Sequence, residues 1–325
     1  MSETDCGVKN SNCRYFQEHC SFSCALNLCL LDYTVWADLI SNLSDIAVLL
    51  QSDPSCFTLF SQYVHDLISV ILPKVGWTKV EGESHTTSLL RARIIGVAIK
   101  YEHPETVQTA LNKFAAFFGS GQAMNVAGAD AASTLSPDLR SSVYSAVVAH
   151  GGAFGYQCVK MIGEKSSLSE EKVRCLNALG SSTQSDLLLR TLGDCITSAV
   201  RTQDGPSLIS TLAGNRHGTA LAWAFCMENW DAILKKYQQS SSLSRIVGQI
   251  GNVTSRQVKQ QVEEFFKSHS HPGAERSVKQ GIERSDKRGY QWSEDEITEG
   301  RSELNTSTNE DHFFFIFSES FIVFF

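Results

Sequence analysis

Apolar side chains return every three or four positions along most of the chain. Trp36, Ile40, Leu43, Ala47 and Leu50 form a first series, and Phe57, Phe60, Val64, Leu67 and Ile71 a second. This spacing places each set on one face of an α-helix. Leu90, Ile94, Val97 and Tyr101 follow, and after a break at His103-Pro104 come Val107, Leu111, Phe114 and Phe118. The rhythm continues through Leu139, Val143 and Val147; Val173, Leu176 and Leu179; Leu188, Leu192, Cys195 and Ala199; Trp223, Met227, Trp230, Leu234 and Tyr237; and Val258, Val262 and Phe265. Roughly a dozen helices are predicted, punctuated by Gly, Ser, Asn and Pro, and period-two alternation is almost absent.

A helix pair with one apolar face cannot bury that face by itself. Stacking successive pairs side by side solves the problem, so the pattern predicts an all-α chain built as a HEAT/armadillo-like α-solenoid of antiparallel helix pairs. No exact sequence repeat accompanies the rhythm, and an irregular helical bundle is the competing arrangement.

Some segments break the rhythm. "GSGQAMNVAGADAASTLS" (119–136) reads as a loop, with Ser136 as N-cap and Pro137 in the first turn of the next helix. From about His271 the chain becomes charge-dense, and "SEDEITEGRSELNTSTNED" has the composition of a disordered tail. The division expected is an N-terminal segment 1–31, a helical domain 32–284, and an acidic tail 285–325. "SFSCALNLCLL" (21–31) is apolar, but acidic residues precede it and it is too short to span a bilayer, which takes about twenty residues. The final "FFFIFSESFIVFF" is also too short for an ordinary membrane helix. It is open to reading as a non-native end, a partner-binding peptide or a tail anchor.

A formal net charge of −7 gives no general attraction to phosphate backbones or anionic membranes, so neither nucleic acid nor a membrane is an expected partner. Five of the ten cysteines crowd the first 29 residues and no C-x-x-C pair occurs. The scattered Cys56, Cys158, Cys175, Cys195 and Cys226 read as small core side chains in a reducing compartment.

Catalytic signatures are missing from this sequence. There is no H-E-x-x-H, no G-x-S-x-G and no P-loop, and the nine histidines never stand four apart. Met227-Glu228-Asn229 matches the end of the G-x-M-E-N motif of zinc aminopeptidases. Its place in a helical stripe reads as core packing instead, with Met227 inward and Glu228 on another face.

The longer stretch around it is more specific. "RTQDGPSLISTLAGNRHGTALAWAFCMENWDAIL" resembles the C-terminal helical domain of the gluzincin aminopeptidases, which carries R-x-Q-D/N, a glycine turn and W-x-F-x-x-x-N-W. Arg201, Gln203, Asp204, Gly218, Trp223, Phe225, Asn229 and Trp230 stand at those positions. "DYTVWADLISNLSDI" with Trp36, "SLLRARIIGVAI" with Arg91, "LSPDLRSSVYSAVVAHGG" with Arg140, and "EKVRCLNALGSSTQSDLLLRTL" resemble further motifs of that domain in the same order. The resemblance covers about Asp32 to Glu283. It is nearest the cytosolic puromycin-sensitive branch, with the endoplasmic-reticulum and membrane-bound branches as alternatives.

The resemblance implies a helical domain that closes over a zinc peptidase site held by an upstream catalytic domain, which would be its partner together with peptides. In that family zinc belongs to the catalytic domain, so no cofactor or metal and no catalytic residue is expected in this chain, and the chain alone should be inactive. Arg201 and Arg245 are the candidates for contacting a peptide carboxylate through a bidentate fork. For Arg201, bracing the turn with Asp204 is the alternative role. A free-standing helical interaction module or a catalytically silent isoform is the competing function.

Overall fold

The computed structural model describes residues 31–51, 54–121, 123, 134–238, 241–250 and 256–291. Among them the chain forms fifteen helices and no strand. The first hairpin is α1 (Tyr33–Leu50) and α2 (Pro54–Ile68), followed by the short α3 (Ile71–Val75). Then come α4 (His85–Lys100) and α5 (Pro104–Gly119), α6 (Pro137–His150) and α7 (Gly152–Lys165), and α8 (Ser169–Leu179) and α9 (Ser185–Ile196). The rest is α10 (Gly205–Ala213), α11 (Thr219–Glu228), α12 (Trp230–Tyr237), α13 (Ser242–Ile250), α14 (Arg256–Ser268) and α15 (Pro272–Gln291).

Alternate helices form a continuous layer. α4 packs on α1, α6 on α4, α8 on α6, α10 on α8, α13 on α10 and α15 on α13. Their hairpin partners α2, α5, α7, α9, the α11/α12 pair and α14 back this layer. The apolar stripes divide into three cores in chain order. The first holds Trp36, Phe60, Ile68 and Leu90. The second is built on Phe117, Tyr144, Tyr156 and Ile162. The third contains Leu192, Leu208, Trp223, Ile233 and Tyr237. A single bundle would bury its stripes in one centre, whereas these stripes are divided among three cores in chain order.

Local chemistry fixes the helix starts. The Asp32 carboxylate accepts the Thr34 N–H at 2.8 Å and the Ser84 hydroxyl accepts the Thr87 N–H at 3.2 Å, capping α1 and α4. α6 starts at Pro137 behind Ser136, as the sequence predicts, but the Ser136 hydroxyl makes no capping bond. α15 runs from Pro272 to Gln291. The acidic and Phe-rich segment from 292 on, the segment 1–30 and most of the Gly/Ala/Ser loop lie outside the described residues.

The single helix expected from Trp223 to Tyr237 is two. Asn229 ends α11 with φ −113° and ψ 23°, and its side-chain amide donates to Phe225 O at 3.0 Å. A short amide that competes for the carbonyl one turn back favours such a break. The kink lets Trp223 and Trp230 meet the same two rings of α14: Trp223 crosses Phe265 edge-on at 5.9 Å, and Trp230 crosses Phe265 at 5.7 Å and Phe266 at 5.3 Å.

Candidate functional site

The motif arginines are mostly internal braces. Arg91 on α4 is buried. Its Nε donates to Val75 O at 2.7 Å, and its two terminal nitrogens grip the Glu83 carboxylate, one of them at 2.7 Å from Oε1. The guanidinium holds the Glu83 carboxyl down to about 2. In the second core, Glu171 is 1% exposed and accepts the Tyr144 hydroxyl at 2.5 Å. Arg174 pairs with the same carboxylate, and Arg140 approaches it at 3.6 Å while lying over the Phe117 ring. A buried carboxylate survives only with such partners. Trp36 is likewise a core residue, 1% exposed.

The turn between α9 and α10 differs, because part of it faces solvent. Lys236, on the last turn of α12, donates to Cys195 O at 2.7 Å, Thr197 O at 2.6 Å and Val200 O at 2.5 Å. The ammonium thereby satisfies one carbonyl of the last turn of α9 and two of the chain just beyond it. Tyr237 donates its hydroxyl to the same Cys195 O at 2.6 Å. A Cβ at Gly205 would stand 2.0 Å from the Tyr237 Oη, so the chain can enter α10 there only as glycine. Burial pushes the Cys195 thiol up to about 12, which keeps it inert beneath the turn.

On this base, Asp204 is buried and accepts Arg201 Nε at 2.6 Å. The bracing role foreseen for Arg201 is thus present, yet its side chain stays half exposed. Among the described residues its two terminal nitrogens have no hydrogen-bond partner. Gln203 is exposed beside it. Arg245 is exposed on α13, which packs on α10, and has no ion pair among the described residues. The structure places the two arginines on neighbouring elements without a shared partner. Asn229, Trp223 and Trp230 lie at and around the kink. Met227 is partly buried against the third core and Glu228 is exposed, so the tripeptide is helix packing.

Lys236 and Tyr237 are the residues that sequence reasoning missed as site builders. Tyr237 was visible only as part of an apolar stripe, and nothing local distinguishes Lys236 from the exposed Lys235. Among the described residues no three His, Cys, Asp or Glu side chains converge as a metal would need, and no helix is long and apolar enough to cross a membrane.

Residues 16–287 match the family described as the ERAP1-like C-terminal domain. The chain belongs to that family. The domain is 29% identical over 258 residues to aminopeptidase M1-C of Oryza sativa subsp. japonica, covering 78% of this chain and 28% of that protein. It is 29% identical over 261 residues to aminopeptidase M1 of Arabidopsis thaliana, with the same two shares, and 24% identical over 267 residues to glutamyl aminopeptidase of Bos taurus, covering 80% and 26%. The chain therefore spans a little over a quarter of the length of the curated relatives it matches.

Proposed function

We propose that the chain serves as the non-catalytic C-terminal helical domain of a zinc metalloaminopeptidase, where it closes the substrate chamber and contacts the peptide away from the scissile bond. The observation carrying this reading is the family membership over residues 16–287, joined to relatives that are named aminopeptidases and of which it covers about a quarter. Zinc and the residues that use it then belong to another domain of the parent enzyme, which removes N-terminal residues from peptides in the cytoplasm. The turn Thr197–Asp204 supplies the peptide contact. Arg201 is anchored through Nε on buried Asp204, so its two terminal nitrogens are held for a carboxylate with little rotamer freedom left to lose. Arg245 on α13 supplies a second positive charge.

The test compares an aminopeptidase catalytic segment with and without this chain, on a long peptide and on a single-residue chromogenic amide. The chain should raise turnover of the long peptide and leave the small amide alone. Arg201→Ala and Arg245→Ala should raise KM for the long peptide only. Equal effects on both substrates, or none on either, would overturn the chamber role and favour the free-standing interaction module.

A further inference from the structure

In a ladder of helix pairs, the turn that closes one pair touches the turns on either side of it and no others. Three such contacts run along one edge of this molecule. The α8–α9 turn reaches the end of α6, where the Thr183 hydroxyl donates to Ala149 O at 3.3 Å. Asn215, in the α10–α11 turn, donates to Gly180 O at 2.9 Å and Ser182 O at 2.7 Å of the α8–α9 turn.

The third contact skips two pairs. Arg216, the neighbour of Asn215, donates through Nη2 to Glu102 Oε1 at 3.3 Å, and its guanidinium lies 5.0 Å from the centre of the Phe57 ring on α2. Glu102 belongs to the α4–α5 turn. The edge can close in this way only if the ladder curls back until a turn on its third core meets a turn on its first.

Glu102 carries a second mark. Its φ of 63° is the one positive φ outside glycine among the described residues. The His103 N–H donates to Ala98 O at 2.7 Å and the Glu102 N–H to Ile99 O at 3.1 Å, so Glu102 occupies the left-handed position that closes α4, where glycine is the unstrained choice. A side chain held at such a position points to a use for that side chain. The turn itself is pinned: the His65 Nε2–H donates to Tyr101 O at 2.7 Å, and His103 Nδ1 caps α5 with Thr106.

We propose that Arg216 and Glu102 form a clasp, backed by Phe57, that sets the curvature of the ladder by tying its third core to its first, and that opens to let the ladder relax. The clasp does not depend on the peptidase reading. Both side chains are partly exposed, 30% and 48%, so the pair is weak and sensitive to salt. A latch meant to open needs that weakness.

The full chain, Arg216→Ala, Glu102→Gly and the double variant would be compared by solution scattering and by amide hydrogen exchange. Arg216→Ala should enlarge the radius of gyration and speed exchange at residues 101–103 roughly two- to five-fold, the factor that a surface pair of this kind supports. Salt at about 1 M, where the Debye length is about 3 Å, should do the same to the unmodified chain. Glu102→Gly should enlarge the radius equally while raising the melting temperature, since it relieves the backbone, and the double variant should go no further than either alone. An unchanged radius and exchange in Arg216→Ala, or effects of the two substitutions that simply add, would overturn the clasp. Should Arg216→Ala fail to fold, the salt titration of the unmodified chain decides by itself.

Discussion

Lys236 offers the sharpest test of how the α9–α10 turn is built. Replacing it with methionine keeps an apolar stem of similar length and removes the ammonium that bonds three carbonyls at 2.7, 2.6 and 2.5 Å. Each hydrogen bond to a charged group is worth about 1.5–3 kcal/mol net, but the three share one donor group and lysine gives up rotamer entropy of about 2 kcal/mol when fixed. Because the contributions are not additive, the net cost should be about 3 kcal/mol. For a domain of this size that is a fall in melting temperature of about 6–12 °C. Tyr237→Phe removes a single hydroxyl from one of the same carbonyls and should cost only about 1 kcal/mol. Thermal unfolding followed by circular dichroism, with urea midpoints as a second measure, separates the two. A Lys236→Met protein melting within about 1 °C of the parent, or a Tyr237→Phe protein equally damaged, would refute the view that the ammonium organises this turn.

Gly205→Ala drives a Cβ to 2.0 Å of the Tyr237 hydroxyl and should cost about 2–3 kcal/mol in urea unfolding; adding Tyr237→Phe should recover only part, because a ring carbon remains at 2.7 Å. Glu83 is held at about 2 against an ordinary 4.5, so its ion pair stabilises the fold fully above pH 4.5 and is lost as pH falls towards 2. The difference in urea midpoint between the parent chain and Glu83→Gln should therefore shrink across that window, and a constant difference would refute the pairing. Trp230→Ala should cost about 3–5 kcal/mol and loosen α14 first, seen as faster amide exchange at 258–268 than in α4.

Helix rhythm made much of the architecture legible, because large apolar side chains mark the buried face directly. Trp36, Ile40, Leu43 and Ala47 on α1 and Leu90, Ile94, Val97 and Tyr101 around α4 are all buried as spaced. On α5 the stripe turned out to be Thr106, Ala110, Phe114 and Phe117, one position away from the expected Leu111 and Phe118. Small residues carry the packing there, and a hydrophobicity count overlooks them. The rhythm of α15 was hidden under its charges, and only the family resemblance reached it, although Ala274 and Val278 mark its buried face with one-turn spacing. The site was less legible. Lys236 acts on backbone carbonyls some forty residues upstream, and a carbonyl has no signature in sequence. Arg201 was the exception, since its partner Asp204 lies three residues on in the same turn.

The three cores follow one another along the chain in order, overlapping on the helices that neighbouring cores share. A ribosome delivers residues in that same order. The first core can therefore consolidate around Trp36 and Phe60 while the third is still being synthesised, using contacts close in sequence and so quick to close. Each later pair then finds a folded template to dock against. Among the described residues the indole rings are spread over this assembly: Trp36 lies in the first core, Trp77 against the second, and Trp223 and Trp230 in the third. Indole fluorescence could therefore follow the three cores separately.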